Sequence, residues 1–197
     1  MRMERSGLPR PHNWGDPCMV SEDDPVDHVL IRRFARGDER AFVGLYRRHS
    51  PAVYGLLCRL VGPLRSDAGD LLQETWIRAA SRLATFRGDA LFRTWLTGIA
   101  LNCYREWRRY SARHPLVELD DVVTATEPDP DPDVHRVLDG LPAAFREILV
   151  LHDVEGYTHD EIARLIEIEP GTSKSRLSRA RELFRRRWLS SVGADHD

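Results

Sequence analysis

The chain has 197 residues, 42% of them hydrophobic, with 29 Lys and Arg against 31 Asp and Glu for a net charge of −2. That length suits one or two domains, no apolar run approaches a membrane span, and the near-neutral total, taken alone, argues against a nucleic-acid binder. The total hides a segregation, because residues 26–114 carry 16 cations and eight acids while residues 115–134 carry seven acids and no cation, so an acidic connector masks a large basic block.

Residues 1–25 are rich in Pro, Gly, Asp and Ser without periodicity and read as a mobile tail. His12 and Cys18 lie there without companion ligands. A first short helix carries Val29, Leu30 and Phe34 and stops near Gly37. Asp38 is placed to cap a second helix, in which Ala41, Phe42, Leu45, Tyr46, Val53, Leu56, Leu57 and Leu60 recur at helical spacing and face inward. Pro51 predicts a kink or a tolerated bend within it. Gly62-Pro63 closes it. Ser66 or Asp67 caps a third helix through Leu83, and a loop spans residues 84–90. A fourth helix covers about residues 91–114, with Trp95, Leu96, Ile99, Ala100 and Cys103 on its buried face. Cys58 and Cys103 sit in apolar helical contexts as small core residues. The three cysteines show neither disulfide nor metal-knuckle spacing, and no metal site or cofactor is expected.

Between residues 115 and 133 the composition changes. Glu127 to Asp133 reads Glu-Pro-Asp-Pro-Asp-Pro-Asp, which excludes helix and sheet and describes an extended, self-repelling linker. Helical pattern resumes at Val134. Leu141-Pro142 opens the next helix, with Phe145, Ile148, Leu149, Leu151 and His152 inward. Residues 157–188 then give a short helix, a turn and a second helix loaded with cations. Pro170 fits the first turn of that second helix. Leu177, Ala180, Phe184 and Trp188 form one apolar stripe. From Pro170 to Trp188 seven Lys or Arg face one acid, Glu182. Serines interleaved with long cations suit a surface that touches phosphates and base edges in a major groove. The expected fold is all-α: two small helical domains, 26–114 and 134–190, joined by an acidic Pro-rich linker, 115–133, with tails at 1–25 and 191–197.

Four stretches together resemble the sigma-70 family. They are Asp70-Leu-Leu-Gln-Glu-Thr-Trp-Ile-Arg-Ala; Phe92-Arg-Thr-Trp-Leu-Thr-Gly-Ile-Ala-Leu-Asn102; Val154-Glu-Gly-Tyr-Thr-His-Asp-Glu-Ile-Ala after Leu141-Pro142; and Gly171-Thr-Ser-Lys-Ser-Arg-Leu-Ser-Arg-Ala-Arg181. Two helical units without a folded middle domain are similar to its extracytoplasmic-function group, region 2 being 26–114 and region 4 being 134–190. The resemblance implies a bacterial, non-enzymatic initiation factor, and the cysteine spacing and the lack of a charged-then-apolar start suit a reducing cytoplasm. It would bind RNA polymerase core at the clamp helices of the largest subunit and at the flap, and promoter DNA at the −10 and −35 elements. An anti-sigma factor is a further implied partner.

Residue by residue, the resemblance assigns Asp70, Gln73, Glu74 and Ile77 to core polymerase, neighbouring positions on one helix. It assigns Phe86, Arg87, Gly88, Asp89 and Phe92 to a pocket for an unstacked −10 base, and Asn102, Arg105, Arg108 and Arg109 to the strand backbone. Lys174, Ser175, Ser178 and Arg179 fall nearest the −35 base edges, with Thr172, Arg176 and Arg181 nearer phosphates. Trp95 reads as core; Trp107, flanked by arginines, could be core or a stacking platform. Where the family carries glycine in the helix-turn-helix turn, this chain has Glu167. Either the turn differs in shape or Glu167 bears strain at positive φ. His152 and His159 read as satisfied or exposed histidines rather than a sensor. The rival reading is a helix-turn-helix regulator acting without polymerase, which would need a sensing domain in place of the basic N-terminal unit. A nucleic-acid enzyme lacks an acidic metal cluster or a phosphate loop.

Overall fold

The computed structural model describes residues 25–62, 66–83, 86–114 and 132–194. The tail through residue 24, most of the linker (115–131) and residues 195–197 lie outside the described residues, as do the expectations placed on them. Among the described residues the fold is all-α, with no strand. Helices α1 (Pro25–Ala35), α2 (Glu39–Val61), α3 (Asp67–Arg82) and α4 (Phe92–Arg113) form the first unit. Helices α5 (Pro132–Asp139), α6 (Ala143–Leu149), α7 (His159–Ile166) and α8 (Pro170–Ala194) form the second.

Gly37, at φ 89°, turns the chain between α1 and α2. Asp38 then caps α2 as its position predicts, its carboxylate accepting from the Arg40 N–H at 3.0 Å. Helix α2 runs through Pro51 without ending. Pro51 is exposed, so water can serve the carbonyl one turn back that the proline cannot. Leu45, Leu56, Leu57 and Leu60 lie at or near zero exposure on its inner face. Tyr46 departs from the inward expectation: it is 41% exposed, with its ring against Trp76 at 5.2 Å. Helix α3 gains no side-chain cap from Ser66. Asp67 instead accepts a hydrogen bond from the Trp107 indole at 2.8 Å, tying the start of α3 to α4.

Helix α5 begins at Pro132, two residues inside the segment the Pro-Asp alternation excludes from helix. Proline is tolerated in a first helical turn, where its missing N–H has no acceptor to lose. After α6 the backbone widens into a π-helical turn at Val150–Val154, which the periodicity does not foretell. Val150 and Leu151 are buried there, but His152 stays partly exposed rather than inward. Thr158 caps α7 in a reciprocal capping box with Glu161.

Both units share one hydrophobic core. It extends from Leu45, Leu57 and Leu96 in the first unit to Leu138, Ile148, Leu151 and Ile162 in the second. Burial of this apolar surface is the main stabilising term.

Candidate nucleic-acid and partner surfaces

Helix α3 separates two faces. Leu71, Thr75, Trp76 and Ala79 are buried, and the Thr75 hydroxyl is absorbed by the Leu71 carbonyl at 2.7 Å. On the other side Asp70, Gln73 and Ile77 are exposed at spacings of three and four, with Ile77 56% exposed. Glu74 is different. It is half-buried and accepts from Arg78 Nε at 2.6 Å. Arg78 also grips Glu106 of α4 through both terminal nitrogens, at 2.9 and 2.8 Å. Those bonds raise the Arg78 pKa and hold the Glu106 carboxyl below the usual range. Arg78 therefore braces α3 to α4, and Glu74, within α3, steadies Arg78 while bordering the exposed strip.

The loop before α4 turns at Gly88, φ 79°. Arg87 and Asp89 are exposed, Phe86 is half-buried, and Phe92 is only 5% exposed. Phe92 sits in an aromatic stack with Phe86 edge-on at 5.7 Å, Trp95 at 5.5 Å and His49 at 5.0 Å. Phe92 and half-buried Trp95 thus form a floor beneath the loop. Along α4, Asn102, Arg105 and Arg109 recur at helical spacing on one face; Asn102 and Arg109 are exposed and Arg105 is half-buried. Arg108 lies over the Tyr104 ring at 5.7 Å. Trp107 is resolved as an anchor: it is half-buried, stacks on Tyr104 at 6.0 Å and donates to Asp67.

In α8, Leu177 and Ala180 are buried and Phe184 and Trp188 are half-buried, as the stripe predicts. Lys174, Ser175, Ser178 and Arg179 all face outward, whereas Thr172, Arg176 and Arg181 are half-buried. The Ser175 hydroxyl donates to the Thr172 carbonyl at 3.0 Å. Arg181 is held by Asp153 of the π-turn, with Nε to Oδ2 at 2.9 Å. Burial pushes the Asp153 carboxyl up, but hydrogen bonds from Arg181 and His152 outweigh it and leave the group below its ordinary range. His159 faces Ser173 at 2.9 Å and the His152 ring at 4.7 Å. Burial, aided by the neighbouring His152, Lys174 and Arg181, lowers its pKa. These contacts fit satisfied histidines that fasten the helix-turn-helix.

The turn keeps the shape that glycine favours. Glu167 takes φ 54° and ψ 51°, the one positive-φ residue other than glycine among the described residues. The Ile168 N–H reaches back to the Ala163 carbonyl at 3.0 Å, closing α7 in a Schellman-type end. A Cβ in the left-handed region costs roughly 1 kcal/mol relative to glycine. Glu167→Gly is therefore expected to raise stability by about 0.5 kcal/mol, after the added entropy of the unfolded chain is subtracted. Denaturant unfolding of the full chain checks this; a destabilised variant would mean that the Glu167 side chain contributes more than its backbone costs.

Two family models match the chain: "Sigma-70 region 2" over residues 45–114 and "Sigma-70, region 4" over residues 133–184. The chain belongs to the sigma-70 family. Within it, the relatives place this sigma factor in the extracytoplasmic-function group. It is 36% identical over 173 residues to RNA polymerase sigma factor NccH of Alcaligenes xylosoxydans xylosoxydans, covering 81% of this chain and 92% of that one. It is 31% identical over 178 residues to the ECF RNA polymerase sigma-E factor of Haemophilus influenzae, covering 81% and 93%. Among solved structures it resembles CnrH in complex with the cytosolic domain of CnrY, with TM-score 0.60 and 27% identity over 87% of this chain and 99% of that chain. It also resembles RpoE of Bartonella quintana in complex with the anti-sigma factor NepR, with TM-score 0.63 and 26% identity over 76% and 96%. A regulator working without polymerase is not favoured.

One residue of this sigma factor escaped the sequence reading. Arg146 of α6 is 8% exposed. Its guanidinium donates to the carbonyls of Leu138 at 3.0 Å, Asp139 at 2.7 Å, Leu141 at 3.4 Å and, in region 2, Leu60 at 3.0 Å. The signal was present: Arg146 lies three residues before Leu149, on the same face as the apolar stripe.

Proposed function

We propose that this sigma factor binds RNA polymerase core through the α3 strip, contacts the −10 element through the loop at 86–89 and α4, and reads the −35 element with α8. It would do so as a binding protein without catalysis of its own, in the bacterial cytoplasm. The supporting observation is α8: base-reading types (Lys174, Ser175, Ser178, Arg179) all face outward while the alternating apolar residues lock the helix to α7 and α6. A major groove admits one helix, and serine and arginine side chains can discriminate base edges there. The strip of Asp70, Gln73 and Ile77 suits a partner helix that carries cations around an apolar position, as the clamp helices and flap of a polymerase would offer. Phe92 would support the base pocket from below rather than line it, and Arg87 and Asp89 would meet the strand first.

An anti-sigma partner is part of this proposal. CnrH and the Bartonella RpoE were each solved bound to another protein, NepR being an anti-sigma factor. Among the described residues no helix is long and apolar enough to cross a membrane.

The test is promoter-directed transcription with sigma-free bacterial core polymerase, together with co-elution. Discrete initiation with a stable complex is expected. Asp70→Ala with Ile77→Ala should weaken core binding by about 10-fold, the loss typical of a small cluster of interface contacts. Glu74→Ala alone should also lower thermal stability, because it removes the carboxylate that steadies Arg78 for its bonds to Glu106. If the chain binds promoter duplex yet never associates with core, the proposal fails.

A further inference from the structure

Region 4 lies against region 2 through a charged seam. Glu155, at the end of the π-turn, accepts from Arg93 Nη2 at 2.8 Å and pairs with Arg59 Nη1 at 3.7 Å. Its carboxylate is 11% exposed, and Arg93 and Arg59 are 23% and 22% exposed. A second pair joins Glu147 of α6 to Arg105 of α4, with Nε at 3.0 Å and Nη2 at 2.9 Å. Glu147 retains 6% exposure and Arg105 20%. Between the pairs the buried Tyr157 hydroxyl donates to Thr97 Oγ1 at 2.9 Å, and Arg93 lies over the Tyr157 ring at 5.7 Å. Gly98 leaves α4 bare where Leu165 of α7 approaches.

All three arginines belong to region 2, and both carboxylates to region 4. Arg105 is one of the residues assigned above to the DNA strand. We infer that Glu147 and Glu155 form an intramolecular acidic face that occupies the cationic surface of region 2, so that the closed chain and single-stranded DNA compete for the same arginines. This rests on the proposed −10 role of α4.

The physics sets the direction. Glu147 Oε1 takes both Nε and Nη2 of Arg105, so one carboxylate oxygen occupies the guanidinium fork that a phosphate would use. Removing one partner leaves the other charge buried without its counter-ion, which is strongly unfavourable. The seam must therefore open before Arg105 or Arg93 can reach a phosphate, and binding by the open fraction alone weakens the apparent affinity by that fraction.

The experiment uses the full chain. Small-angle scattering gives the radius of gyration, and anisotropy gives the affinity for a short labelled single-stranded DNA. Glu147→Gln with Glu155→Gln is expected to increase the radius of gyration at low salt and to tighten binding by about 10-fold, as when a mostly closed population becomes open. Glu39→Gln, on the exposed first turn of α2, carries the same chemical change away from the seam and from the proposed DNA surfaces and should alter neither. If the double variant loses helicity by circular dichroism, Glu155→Gln alone decides, because that one carboxylate holds both Arg93 and Arg59. An unchanged radius in the double variant, or in Glu155→Gln if the double variant is misfolded, overturns the closed seam. Expansion without tighter DNA binding overturns the competition. Failure of wild type to join core polymerase would defeat the sigma reading separately and leave the scattering result standing.

Discussion

Arg146→Met is expected to lower the unfolding free energy of the full chain by about 3 kcal/mol, measured by urea denaturation with circular dichroism, because it strands several buried carbonyls at once. The reason lies in where those carbonyls sit. Leu60 is in the last turn of α2, Leu138 and Asp139 end α5, and Leu141 lies in the connection that follows. The final carbonyls of a helix have no partner within it, and they carry the negative end of the helix dipole. One planar guanidinium reaches all four and places its charge where two helix ends converge. Methionine keeps much of the volume but donates nothing, so the loss isolates the hydrogen bonds from the packing. Arg146→Lys should fall between, because an ammonium on a straight stem cannot span the same fork of acceptors. A Met variant as stable as wild type would mean that water enters and serves the carbonyls. Gly62 belongs to the same construction: it sits at φ 69°, and a Cβ there would meet the Arg146 guanidinium.

What the sequence reveals about this fold follows from whether the information is local. The α8 stripe is written in residues three and four apart, and its outward cations follow from that stripe. The Asp38 cap and the Thr158 box are likewise short-range chemistry. The all-helical class is legible because no strand alternation competes with these patterns. The departures are tertiary. The resemblance places Phe92 in a base pocket with Gly88 and Asp89, but His49 of α2 packs against its ring and it is only 5% exposed. Trp107 remains ambiguous among its arginines until Asp67 claims its indole N–H. Glu74 reads as one more member of an exposed face, whereas it holds Arg78, which braces α3 to α4 through Glu106. Glu147 and Glu155 carry no sign in the sequence that arginines of region 2 will cover them. Helical periodicity gives the facing direction of a side chain, but the identity of its partner depends on how distant helices dock.

Arg179→Ala should relax promoter choice at one −35 position rather than weaken binding everywhere. Arg179 is exposed on α8, beside Ser178 and one turn after Ser175, and Leu177 and Ala180 hold the helix so that this face cannot rotate inward. Arginine that reads a guanine through O6 and N7 contributes about 1–3 kcal/mol of discrimination. Its loss should therefore compress the affinity ratio between the preferred base and its alternatives by roughly 5- to 150-fold, the same energy expressed as a ratio. Arg176 provides the contrast. It is half-buried and lies nearer the phosphate side in the proposed arrangement, so Arg176→Ala should weaken all sequences together and reduce the salt dependence by about one counterion. The comparison requires polymerase reconstituted with each variant and a set of promoter duplexes that differ at single −35 positions, assayed at two or more salt concentrations. Parallel loss across every duplex with Arg179→Ala would move that residue from base reading to backbone contact. Selective loss with Arg176→Ala would show instead that α8 enters the groove rotated from the orientation proposed here.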